Sequence, residues 1–123
     1  MRTAFGVFLV LHALVHVAWL APKPDDPSYP FRIDSSPLLA GASESLVRGL
    51  GQGLAVAALL AFMLAGLGVL GIPGLAAAWK IAAVAGAVAS LVLVAVFWDT
   101  YFVAGPILNA GILVAVYMGW PDT

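Results

Sequence analysis

The sequence predicts an all-α integral membrane protein: one domain, built as an antiparallel bundle of four spanning helices. Three observations lead there. Of its 123 residues, 63% are hydrophobic and 9% charged, against about 25% charged in ordinary soluble domains. Four apolar stretches each reach the roughly 20 residues that a spanning helix needs. Only a handful of polar side chains interrupt those stretches.

The first stretch covers 3–21 and stops at Pro22, which has no N–H to continue a helix. One arginine, an apolar run and Ala18-Trp19-Leu20-Ala21 also fit a cleaved signal peptide. However, the small residues are spaced Ala-x-x-Ala rather than Ala-x-Ala, and two histidines interrupt the core, so a retained span is the better reading. The second stretch covers 48–71. Its polar lead-in, Glu44-Ser45-Leu46-Val47-Arg48, places Glu44 and Arg48 at i,i+4, the spacing of a helix-surface ion pair. Gly71-Ile72-Pro73-Gly74 reads as a tight turn. The third stretch covers 76–98 and the fourth 102–120. Pro106 sits near the start of the fourth, and the helix is expected to begin before it, because proline is tolerated in a first turn.

The long connection, 22–43, holds five of the eight prolines together with Asp25, Asp26 and Asp34. Tyr29-Pro30-Phe31 and Leu38-Leu39 are apolar enough to pack on the mouth of the bundle, so this segment is expected to be an ordered, lid-like loop. Trp19, Trp79, Trp98 and Trp120 fall at span ends, with Tyr101 and Tyr117, as in the aromatic belts of membrane interfaces. Three small-residue stripes (Ala57, Ala61 and Ala65; Gly86 and Ser90; Gly111, Ala115 and Gly119) are expected to pack helices inside the bundle or to join copies of the chain.

Net charge is −1. Nothing here implies a nucleic-acid partner, and no run of basic residues addresses anionic lipid. Cysteine is absent, which removes disulfides, thiolate metal sites and thiol chemistry. The expected location is the bacterial inner membrane as a multi-pass protein. Basic residues are almost balanced across the two sides, with a small preference for both termini in the cytoplasm.

The chemistry lies in the interruptions. His12 and His16 are one helical turn apart and share a face. At about 1.5 Å of rise per residue, an antiparallel topology puts them about 14 and 8 Å below the loop side of the bilayer. Ser90, Asn109, Gln52 and Asp99 fall in the same half, and the other half is almost wholly apolar. That asymmetry disfavours a continuous channel, whose path would be lined by polar groups. An ionisable side chain in a span is costly and by default marks a functional site.

Several readings compete. Neutral histidines could simply join helices by hydrogen bonds. His12, His16 and Asp99 could supply three ligands to a metal with one position open, although His-Ala-Leu-Val-His lacks the zincin glutamate. A histidine could act as acid–base group or polar anchor for a small lipophilic, quinone-like ligand. The groups could instead face a partner subunit. The residues specify no reaction and no cofactor. The leading expectation is a polar pocket of His12, His16, Ser90, Asp99, Asn109 and Gln52 that takes a small ligand, a proton or a metal. The alternative is a non-catalytic accessory subunit of a larger membrane complex.

Leu11-His12-Ala13-Leu14-Val15-His16 resembles the "LHGLIH" stretch of a group of small bacterial four-helix membrane proteins without assigned activity. Trp98-Asp99-Thr100-Tyr101-Phe102, with Pro106 and Asn109 beyond it, resembles that group's "W-x-D-A-K-F-G-T-x-x-N" stretch, and Ser90 falls at its serine. Ala13 stands where the group has glycine, and Tyr101 where it has lysine. More distantly, the four-helix plan resembles the DoxX family, some members of which are linked to quinone or sulfur redox chemistry. The resemblance implies a four-helix membrane fold and singles out His12, His16, Asp99 and Asn109. It implies no reaction.

Overall fold

The computed structural model describes residues 1–122, all of them helix, turn or loop, with no strand. The helices are α1 (Arg2–Val15), α2 (Val17–Leu20), α3 (Glu44–Val69), α4 (Trp79–Val96) and α5 (Ala104–Tyr117), with single 3-10 turns at Pro37–Leu39 and Thr100–Phe102. Four helical stretches are long and apolar enough to cross a membrane: Arg2–Leu20, Glu44–Val69, Trp79–Val96 and Thr100–Tyr117. These match the four apolar stretches of the sequence.

Helix ends follow local chemistry. Ser43 caps α3, its hydroxyl accepting from the Leu46 amide at 3.1 Å, and Arg48 pairs with Glu44 at 2.6 Å. The cap and ion pair carry α3 back to Glu44, ahead of the expected start at 48. Gly71 and Gly74 both take positive φ, 92° and 84°, and close the turn between α3 and α4. Pro106 is the third residue of α5, where its missing N–H breaks no intrahelical bond.

The bundle is antiparallel. Phe5 of α1, Val69 at the end of α3, Trp79 at the start of α4 and Trp120 beyond α5 meet in one apolar cluster. Trp19, Val47, Phe97 and Phe102 meet in a second cluster at the opposite end. Helix α3 packs on α1 and on α4, and α5 packs on α4. The α1–α3 crossing is close because Gly6 faces Gly66. A Cβ on Gly66 would lie 2.9 Å from the Gly6 carbonyl oxygen. Such backbone contact is how helices gain packing where the hydrophobic effect gives none. At the same end, Arg2 donates to the Val69 carbonyl at 3.0 Å and pairs with Asp122.

One packing expectation is corrected. Trp19 and Trp79 are each only 3% exposed. They point inward, Trp79 edge-on to Phe5 and Trp19 against Phe31 and Phe102. Trp98, Tyr101 and Tyr117 remain exposed as belt residues would be. Of the small-residue stripes, Gly86 and Ser90 are buried against neighbours, but Ala57 and Gly111 face outward, and a side chain on Gly111 would meet open space. Period-four spacing finds a face, and here that face is not always the packed one.

The long loop folds onto the bundle end. Ile33 is buried among Trp19, Val47 and Phe97. Ser36 donates from its hydroxyl to the Val96 carbonyl at 2.5 Å and caps the Pro37–Leu39 turn. Phe31 packs there as the sequence suggested, and Leu39 is partly covered, but Leu38 is exposed.

Candidate functional site: a histidine network beside a narrow cleft

The first helical stretch is not uniform. It breaks at His16, between α1 and α2. The cause is the side chain itself. His16 Nδ1 donates to the His12 carbonyl at 3.0 Å, the acceptor that the His16 amide would use in a regular helix. The amide turns instead to the Ala13 carbonyl, also at 3.0 Å. One tightened turn results, and such turns within a helix often mark functional places.

That bond also assigns the rest of the network. A carbonyl only accepts, so Nδ1 of His16 carries its proton, and in the neutral ring Nε2 is an acceptor. The Ser90 hydroxyl donates to it at 2.9 Å. Ser90 Oγ in turn accepts from Asn109 Nδ2 at 3.0 Å. Asn109 Oδ1 then faces His12 Nε2 at 3.1 Å and accepts its proton. With both rings neutral, four side chains from α1, the break, α4 and α5 thus form one directed chain in which every assigned donor has an acceptor. Asn109 is fully buried, so this pairing avoids the cost of an unmatched amide.

Aromatic rings frame the pair. Phe62 of α3 lies edge-on to His12 at 4.8 Å and 5.7 Å from His16. Phe8 stacks on His12 at 5.6 Å. Neither ring carries a sequence signal that separates it from ordinary core.

One nitrogen is left over. His12 Nδ1 has no hydrogen-bond partner. No fully buried side-chain nitrogen or oxygen among the described residues lacks one, so Nδ1 keeps accessible surface. His12 lines a cleft of about 200 Å³ between α1 and α5, walled by His16, Ser90, Trp19, Phe31 and Phe102. The walls are mainly apolar, with the imidazoles and the Ser90 hydroxyl as the polar patch.

The structure therefore brings four of the six expected residues together: His12, His16, Ser90 and Asn109. The other two lie elsewhere. Asp99 caps the Thr100–Phe102 turn, accepting from the Tyr101 amide at 2.8 Å, and helps to hold two walls of the cleft. It does not bond His16, whose nitrogens are already engaged by His12 and Ser90. The expected three-ligand metal set of His12, His16 and Asp99 is not assembled, and no group of three His, Cys, Asp or Glu side chains placed to share an ion occurs among the described residues. Gln52 is exposed and lines a separate cavity on the other side of Trp19.

No protein-family model, curated protein or solved structure matches this chain.

Proposed function

We propose that the chain is a multi-pass membrane protein that binds a small lipophilic molecule carrying an O–H donor, such as a phenol or quinol, in the cleft between α1 and α5. The observation that carries this reading is the unpaired Nδ1 of His12, a residue that lines the cleft. In the neutral network it is an acceptor, so it selects a ligand that donates. A cleft of about 200 Å³ suits one ring, since engineered apolar cavities of about 150 Å³ hold benzene. The apolar walls favour the ring, and the single polar contact sets its orientation. The four apolar helices support insertion in a bilayer. The likeness of Leu11–His16 and Trp98–Asn109 to small bacterial four-helix membrane proteins agrees with this reading and adds no chemistry.

The test compares 4-propylphenol with its methyl ether, which has the same shape and no donor. Binding to detergent-purified protein is followed through the ¹⁵N signals of the two histidines. The phenol should bind saturably, shift His12 Nδ1 and leave the ether at least tenfold weaker. His12→Phe should abolish the difference. Equal binding of both probes, or a phenol that shifts neither histidine, overturns the proposal and leaves the histidines as helix-joining groups.

A further inference from the structure

A second cavity is larger than the histidine cleft. About 430 Å³ in volume, it lies where the chain leaves α2, between the long loop and the first turns of α3. Small-molecule pockets run roughly 300–1,000 Å³. Lys23, Arg32 and Arg48, three of the five basic residues in the chain, line it together with Asp25 and Asp34. These residues are scattered in sequence; the lining alone carries one positive charge in excess, which Glu44, outside the lining and paired with Arg48, offsets.

The charges are unequally matched. Arg32 is held by Asp34 at 3.1 Å. Arg48 gives one guanidinium nitrogen to Glu44 and keeps its other donors. Lys23 has no carboxylate within ion-pair distance among the described residues. Its Nζ donates to the carbonyls of Ala18 and Ala21, each at 2.8 Å. That fixes the ammonium at the C-terminal end of α2 and leaves one N–H uncommitted. Burial pushes the Lys23 ammonium below the usual lysine range, as expected of a cation that lacks a counter-ion.

We propose that this cavity binds a phosphate group, with Lys23 Nζ and the free donors of Arg48 as its cationic contacts and the Gln52 amide as a neutral one. Arginine offers a planar fork of donors and lysine a compact charge, the usual pair for a phosphate's oxygens. The same chemistry is presented by a phospholipid headgroup and by a soluble phosphate. The cavity lies at the ends of the apolar helices, which favours the headgroup, an arm that rests on the membrane reading above.

The experiment titrates detergent-purified protein with dioctanoyl phosphatidylglycerol, with dioctanoylglycerol, which lacks the phosphate, and with inorganic phosphate. Native mass spectrometry reads the stoichiometry. One phosphatidylglycerol should bind per chain and dioctanoylglycerol none. Lys23→Gln and Arg48→Gln should each weaken binding at least tenfold. Lys80→Gln, at the other end of the bundle, should leave it unchanged. Arg48 is exposed, so its variant reports on binding even if the loss of the Lys23 bonds disturbs α2. Inorganic phosphate binding with the same dependence on Lys23 and Arg48 supports the site and names a soluble phosphate as its occupant. No saturable binding of either phosphate probe, or an equal loss in Lys80→Gln, overturns the proposal.

Discussion

The imidazole of His16 takes the carbonyl of His12 away from the helix that carries both. The Nδ1–O distance is 3.0 Å, and the backbone answers by moving the His16 amide to Ala13. A helix end is thereby created inside an apolar stretch without proline or glycine. This is the local competition that side chains of Ser, Thr and Asn offer a helix, made here by a histidine.

Removing the competitor should heal the helix. In His16→Leu, the His12 carbonyl is free and the His16-position amide should return to it, giving one continuous helix over residues 2–20. Amide hydrogen exchange read at residues 16–20 checks this, since protection there should rise. Overall stability should nonetheless fall by about 0.6 kcal/mol and by no more than about 1.7, the range of interhelical hydrogen bonds in membranes, because Ser90 loses its acceptor. Unchanged exchange at residues 16–20 would mean that the break has another cause.

The directed network also fixes tautomers. In neutral protein, ¹⁵N spectra of histidine-labelled material should show one ring protonated at Nε2 (His12) and one at Nδ1 (His16). Asn109→Leu should release the His12 preference and leave His16 as it was. Two rings of the same tautomer would contradict the chain through Ser90 and Asn109, as would a ring carrying both protons.

Much of this was legible in the sequence, and what was not has a physical reason. Apolar length and the Pro22 and Gly71–Gly74 breaks define four helices, because in such a composition little else can be long and apolar. Antiparallel order and the rise per residue put His12, His16, Ser90 and Asn109, with Gln52 and Asp99, in one half of the bilayer, and the structure joins the first four. The placing of Asp99 at a turn rather than on His16 was not legible, because depth says nothing of rotation or of a nearer amide to cap. Trp19 and Trp79 were misjudged for the same reason, since position at a span end does not tell inward from outward. Phe62, Ile33 and the gathering of Lys23, Arg32 and Arg48 had no sequence signal. Each depends on which segments fold together, and no spacing within one segment encodes that.

Ile33 is seated on a glycine. A Cβ added to Gly51 would come within 2.7 Å of the Ile33 side chain, closer than carbon atoms tolerate. Gly51→Val should therefore lift Ile33, and with it the long loop, from the bundle end. Ile33 is branched at Cβ and pinned between Arg32 and Asp34, so it has little room to yield. The expected result is faster proteolytic cleavage between residues 24 and 40, with helix content by circular dichroism unchanged. Gly53→Val is the control, because a side chain there meets open space. Equal cleavage of both variants would show that Gly51 does not seat the loop.

The same loop should loosen in acid. Asp34 is held below its ordinary 3.8 chiefly by the hydrogen bond from Arg32, with smaller pulls from the Arg32 and Arg48 charges. Because the folded value is depressed, the folded state binds this proton less readily than the unfolded chain. Its contribution is therefore complete above 3.8 and is lost as pH falls below that, through the depressed value. Both partners are about one-third exposed, so the gain is that of a solvent-screened pair, small beside the burial of Ile33. Loop amide exchange, corrected for the intrinsic pH dependence, should be constant between pH 7 and pH 5 and should rise below pH 4 at residues 32–36. Amides within α3 should not follow. Asp34→Asn should show the faster exchange at every pH, because it has already lost the charge that titration removes. A variant still protected at pH 7 would place the hold on the loop entirely in Ile33 and Ser36.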